Sequence, residues 1–145
     1  MQSPPRILII DDDRDSCDLM QLMLQYSDAG YEITSVLTPE EGLRLASARS
    51  FDLYLLDCRY VGISGVEVCR TLRQTDTETP IMFFTGEAHE HSRQEALRAG
   101  ADAYLIKPDD LNNLTGTVKR LLRLHKLAGR PNVAAHDYNR SATAP

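Results

Sequence analysis

RILIIDDD, residues 6–13, runs the unbroken apolar stretch Ile7–Ile10 straight into three aspartates. An apolar run without alternation is the pattern of a parallel strand buried on both faces. The same design recurs. Leu53–Leu56 ends on Asp57, Ile81–Phe84 on Thr85, and Tyr104–Ile106 on Lys107. In an open parallel α/β sheet, ligands bind in the crevice beyond the carboxyl ends of the strands. Carboxylates, a hydroxyl and a lysine that end four such strands therefore belong to one site, although they are far apart in sequence.

The segments between these runs read as helices. Cys17, Met20, Met23 and Leu24 recur at helical spacing, and the pattern stops before Gly30, a residue suited to a left-handed helix end. Tyr31–Leu37 reads as a second strand. Thr38, Pro39 and Glu41 form a helix-start signal with a capping box, and Ser64 to Glu67 offers another. Phe51–Leu56 is the third strand and Ile81–Thr85, reached through Pro80, the fourth. An amphipathic segment then ends at Gly100, Ala103–Ile106 is the fifth strand, and Asp109 or Asp110 is placed to cap a last helix carrying Leu114, Val118, Leu121, Leu122 and Leu124. Five βα units with short connections predict a doubly wound parallel sheet between two helical layers. Residues 128–145 carry no periodicity and read as a disordered tail or the start of a linker, leaving 6–127 as one domain.

Bulk properties agree with a single reduced domain. The chain has 145 residues and a formal net charge of −5, which speaks against a nucleic-acid partner. No apolar run approaches the roughly 20 residues of a membrane span, and the N-terminus lacks a signal-peptide pattern. Cys17, Cys58 and Cys69 are odd in number and have no CxxC spacing, so neither a disulfide framework nor a zinc site is expected. The expected location is the cytoplasm.

Aspartates between a strand and a helix commonly cap the helix. One cap suffices, however, and Asp11, Asp12 and Asp13 repel one another unless a cation offsets their charge. Magnesium favours oxygen ligands in an octahedron that keeps several waters, so two carboxylates and a carbonyl suit it. Asp57, where a buried strand reaches the surface, is placed to attack a phosphoryl group beside such a metal. Phosphoryl transfer needs mainly positioning and charge neutralisation, for which Thr85 offers a hydroxyl, Gly86 an amide and Lys107 a cation. Singly, these are an ordinary strand end, a turn glycine and a surface lysine.

ILIIDDDRDS (7–16), FDLYLLDCRYVGISGVEVCRTLR (51–73), PIMFFTGE (80–87) and GADAYLIKP (100–108) together resemble the receiver domain of bacterial two-component response regulators. The resemblance covers about residues 6–127 and implies the flavodoxin-like sheet order 2-1-3-4-5. It implies Asp57 as phosphoacceptor and Asp12 as direct ligand of Mg2+ or Mn2+, with Asp57 beside it. Asp11 would act nearby or through water, and the backbone carbonyl of Arg59 would complete the protein ligands. Thr85 is then the switch hydroxyl, Tyr104 the switch aromatic, Gly86 a phosphoryl-binding amide and Lys107 the phosphate-pairing cation, followed by a cis bond to Pro108. The donor would be a sensor histidine kinase or a histidine phosphotransfer protein. A downstream protein would dock on the face made by the fourth helix, fifth strand and fifth helix, with no direct contact to nucleic acid or membrane. The only chemistry expected of the chain is its own phosphorylation and dephosphorylation.

Three positions, in two places, depart from the family pattern. Tyr60 and Val61 replace Met-Pro, which frees an amide and is expected to loosen the loop after Asp57. Asp109 replaces a phenylalanine and is expected to alter the start of the last helix. On the rim, Arg59 and Glu87 are expected to pair and restrict the attacking water; the plainer alternative is two solvated charges. Cys58 suggests redox control only weakly, because a small buried residue is the simpler reading. A haloacid-dehalogenase-type phosphatase fits poorly: its nucleophile follows the first strand as Asp-x-Asp-x-Thr/Val, and here Asp15 stands at the last position. A flavin module lacks its Ser/Thr/Gly-rich loop. A degenerate receiver that only docks proteins is opposed by the full set of site groups. If the chain is whole, its output runs through protein contacts; if it is an excised piece, the tail leads to a further segment.

Overall fold

The computed structural model describes residues 3–28 and 30–128. The strands are β1 (Arg6–Ile10), β2 (Glu32–Val36), β3 (Leu53–Leu56), β4 (Ile81–Thr85) and β5 (Ala103–Ile106). The helices are α1 (Arg14–Ser27), α2 (Pro39–Ala48), α3 (Gly65–Thr75), α4 (Glu90–Arg98) and α5 (Leu114–Ala128). All four strand pairings are parallel and the order is β2-β1-β3-β4-β5, as expected. The tail expected over 128–145 lies, from residue 129 on, outside the described residues.

Strand periodicity divides the core. Ile7, Ile9, Leu53, Leu55, Met82 and Phe84 face α1 and α5, meeting Met20, Leu24, Leu114 and Val118. Their neighbours Leu8, Ile10, Tyr54, Leu56, Ile81 and Phe83 face the other way, against Val68, Cys69 and Leu72 of α3 and Ala96 of α4. Both faces of β1, β3 and β4 are thus dry, which explains their unbroken apolar runs. The chain moves one way along the sheet from β1 to β2 and the other way from β2 to β5. Crossovers of constant hand must then change face, which separates α1 from α2, α3 and α4. The reversal leaves a crevice between the carboxyl ends of β1 and β3, where such folds hold ligands.

Several element ends differ from expectation. Thr38 and Ser64 do cap α2 and α3, accepting from the Glu41 and Glu67 amides at 3.3 and 3.2 Å. The α2 box is only half made, because Glu41 turns to Arg44, with Arg44 Nη2 at 2.6 Å. Helix α1 leaves at Asp28, in extended conformation, two residues before Gly30. Gly100 (φ 113°) instead supplies the left-handed end, after α4, with its amide on Leu97 O and that of Ala101 on Ala96 O. Neither Asp109 nor Asp110 caps the last helix. Asp110 turns back to accept from the Ile106 amide at 2.8 Å, and a single 3₁₀ turn, Leu111–Asn113, leads into α5. The Lys107–Pro108 bond is cis, as expected.

Candidate functional site

Each of the three consecutive aspartates has a different task. Asp13 caps α1, accepting from the Asp15 amide at 3.0 Å. Asp11 is 1% exposed; its Oδ1 accepts from the Asp13 amide at 2.9 Å and its Oδ2 from Lys107 Nζ at 2.7 Å. Asp12 faces solvent on the wall of the pocket. The β1 terminus thereby turns one carboxylate inward and one outward, with the helix start fixing the turn between them.

Asp57 ends β3 between these groups and β4. Its Oδ1 accepts from the Cys58 amide at 2.6 Å and its Oδ2 from Lys107 Nζ at 3.3 Å. Asp11, Asp12 and Asp57 each present a carboxylate oxygen within 4.8 Å of the others. This oxygen-only set of hard anionic donors fits a divalent cation of the magnesium type. Lys107 is the one cation bonded to the cluster among the described residues. Burial alone would lower its pKa, but the hydrogen bond to Asp11 and the charges of Asp57 and Asp11 hold it above the usual lysine value, so it stays charged.

Thr85, Gly86 and Glu87 line the opposite wall of an open pocket of about 560 Å³, together with Asp12, Asp57, Arg59 and His89. Thr85 is buried at the end of β4, and its hydroxyl accepts from the Glu87 amide at 3.2 Å. A Cβ on Gly86 would meet nothing within 4 Å, so this glycine serves no protein packing. Glu87 pairs with Arg59, as expected of the rim, and also with His89 Nδ1 at 2.5 Å. Contact with His89 first, and then with Arg59, pulls its carboxyl down to about 2. Tyr104 donates to the Glu87 carbonyl at 2.6 Å, stacks on Phe83 and lies 3.2 Å from Cys58 Sγ. It is therefore turned inward.

The expectation of a loosened loop after Asp57 is wrong. Tyr60 is 9% exposed; its hydroxyl accepts from the Asp57 amide at 2.8 Å and donates to the Ile10 carbonyl at 2.6 Å. Arg59 bridges Ser64 across the loop, and the Gly65 amide donates to the Cys58 carbonyl at 2.7 Å. A Cβ on Gly65 would lie 2.0 Å from the Asp57 carbonyl oxygen, so the loop closes tightly on the Asp57 peptide. Only Val61, 90% exposed, is free of the protein. Tyr60 and His89 are the site residues that sequence reasoning missed. An aromatic three positions after a strand-end aspartate carried no signal by itself, and nothing in the sequence set His89 apart.

The response regulator receiver domain model matches residues 7–119. The response regulator ArlR of Staphylococcus saprophyticus is 32% identical over 118 residues, which are 81% of this chain and 52% of that protein. The transcriptional regulatory protein PrrA of Mycobacterium leprae is 36% identical over 121 residues, 83% of this chain and 51% of that one. The chain thus spans about half the length of these curated relatives. A CheY-like receiver domain protein of Methanospirillum hungatei superposes with a TM-score of 0.81 at 30% identity, over 88% of this chain and 100% of that one. TrrA of Thermotoga maritima, solved in complex with Mg2+-BeF, gives 0.71 at 33% identity, over 81% of this chain and 98% of that one.

Proposed function

The chain belongs to the response regulator receiver domain family of two-component systems, and on that premise we propose that Asp57 accepts a phosphoryl group from a phosphohistidine. The donor is a sensor histidine kinase or a histidine phosphotransfer protein. The observation that carries the reading is the convergence of Asp11, Asp12 and Asp57 on one another, with Lys107 bonded to the first and last. The domain carrying this activity is residues 6–127.

A carboxylate oxygen of Asp57 attacks phosphorus, the new O–P bond forms as the N–P bond breaks, and the imidazole nitrogen keeps the electron pair. Asp12, Asp57 and the Arg59 carbonyl, with Asp11 nearby or through water, would hold Mg2+ or Mn2+, which supplies charge neutralisation on the phosphoryl oxygens. Lys107 pairs with the product, while the Thr85 hydroxyl and Gly86 amide bind its remaining oxygens. A lysine about 3 Å from a new charge gains roughly 5 kcal/mol at an effective dielectric near 20, before desolvation. Inverting a 1:99 equilibrium takes about 5.5 kcal/mol, so these contacts are of the size a switch needs. Thr85 moves toward the phosphoryl group and Tyr104 fills the space behind it. The altered α4–β5–α5 face then binds a downstream protein, without direct contact to nucleic acid.

Arg59 and Glu87 pair at the wall of the pocket and hinder the water that hydrolyses the aspartyl phosphate. If Arg59→Ala leaves that lifetime unchanged, the rim pair is only surface charge.

The central reading is tested by intact mass after incubation with acetyl phosphate. Wild type should gain one phosphoryl group in Mg2+ and none in EDTA, and Asp57→Asn none in either. Folded wild type that gains nothing in Mg2+ would defeat it.

A further inference from the structure

Tyr60 places its hydroxyl where the next rung of the sheet belongs. Backbone groups of a strand point alternately to its two neighbours, and the Tyr54 amide donates to Pro80 O on the β4 side. The amides of Leu55 and Asp57 therefore face β1, whose last register pair with β3 is Ile10 with Leu56. A direct bond from the Asp57 amide to the Ile10 carbonyl would continue the ladder. The Tyr60 hydroxyl stands between them instead, bonded to both at 2.8 and 2.6 Å.

We propose that Tyr60 is a positioning residue, an inserted rung that sets the spacing between the β1 end, which carries Asp11 and Asp12, and Asp57 on β3. This rests on the reading of those aspartates as a divalent-cation and phosphoryl site. The insertion falls at the β1/β3 reversal of the sheet, at the residue before Asp11 on one side and at Asp57 itself on the other. A hydroxyl can do this because it donates and accepts at once, satisfying a buried amide and a buried carbonyl that face each other. The ring is aimed by the closed turn from Cys58 to Gly65, and the exposed Val61 beside it plays no part.

Removing the hydroxyl leaves two outcomes for the backbone. Either β1 and β3 close to a direct bond, or the Asp57 amide and Ile10 carbonyl stay unpaired. The first displaces Asp57 relative to Asp12, and the second removes the tie that fixes their spacing. The test is Mn2+ titration of the full chain by electron paramagnetic resonance, for wild type, Tyr60→Phe and Val61→Ala, with urea unfolding and exchange of the Asp57 amide proton measured alongside. Tyr60→Phe should fold, bind Mn2+ about tenfold more weakly, as loss of a group supporting metal ligands does, and alter exchange of the Asp57 amide. Val61→Ala should match wild type in all three.

Folded Tyr60→Phe with unchanged Mn2+ affinity would overturn the proposal, even if its urea midpoint fell and Asp57 exchange changed, because a purely structural tyrosine that accepts from the Asp57 amide moves only those two. Should Tyr60→Phe not fold, Tyr60→Met fills the same space without a hydroxyl and carries the same comparison. Wild type that binds no Mn2+ would overturn the metal reading itself and this inference with it; that outcome is told apart because it precedes any substitution.

Discussion

At the amino end of the sheet, Asp52 accepts from the Arg6 amide at 2.8 Å, and Asp102 accepts from the Ile81 amide at 2.9 Å and from Arg73 at 3.0 Å. At the carboxyl end, Asp11, Asp12 and Asp57 crowd together and Lys107 bonds to two of them. Residue type and position at a strand end are the same in both regions. What differs is the ratio of carboxylates to partners. At one end each aspartate completes the hydrogen bonding of a strand's first amide, so it contributes stability. At the other, like charges are held together at a cost in stability that a bound cation would offset, as is common at functional sites.

That contrast is open to mutation. The largest effect is expected at the amino end, from Arg73, whose guanidinium reaches the carbonyls of Gly100, Asp76 and Thr79 besides Asp102. Arg73→Ala strands buried acceptors and should cost about 3 kcal/mol in urea unfolding. Phosphorylation per folded molecule should not change; a fall in it would blur the division between the two ends. Asp102→Ala leaves the Ile81 amide unpaired and takes one of two acceptors from Arg73 Nη2, which keeps the Gly100 carbonyl, and should cost about 1–2 kcal/mol by the same measurement.

Asp57→Asn should have the opposite sign. In metal-free buffer it removes one of the crowded charges while Lys107 keeps Asp11, and stability should rise by up to about 1 kcal/mol. Added Mg2+ should raise the melting temperature of wild type and leave the variant nearly unmoved, since a ligand stabilises only the state that binds it. A loss of stability in Asp57→Asn would mean that this aspartate is as structural as Asp102. The smallest effect concerns the cysteines. Burial pushes Cys17 and Cys69 up to about 11, and Cys58 upward also, so all three stay thiols near pH 8. Reaction with an aromatic disulfide should be slow in the native protein and rapid in urea. Rapid native labelling at Cys58 would revive redox control beside Asp57.

Much of the fold was legible because burial on both faces leaves a one-dimensional trace. The runs Ile7–Ile10, Leu53–Leu56 and Ile81–Phe84 are apolar at every position since alternate residues fill two separate cores. The start signals at Thr38 and Ser64 were legible for a similar reason, because capping acts within one turn. Edges were less so. Tyr31 and Leu37 look like strand but flank the five residues of β2 that pair with β1, and side chains alone do not say where pairing stops. Asp110 looked like a helix cap and instead accepts from the end of β5, a choice between two local amides that sequence does not decide.

The sequence by itself determined which groups meet. Asp11, Asp12, Asp57, Thr85 and Lys107 end parallel strands, and a parallel sheet has a single carboxyl edge. Tertiary structure alone decided how they are held. That Tyr60 rests between Asp57 and Ile10, that Asp11 is spent on Lys107 while Asp12 stays open, and that Glu87 divides between Arg59 and His89 all depend on distances across strands and loops. Periodicity records which face a residue is on, whereas a hydrogen bond needs an atom placed to within a few tenths of an ångström, and that is set only once every element is packed.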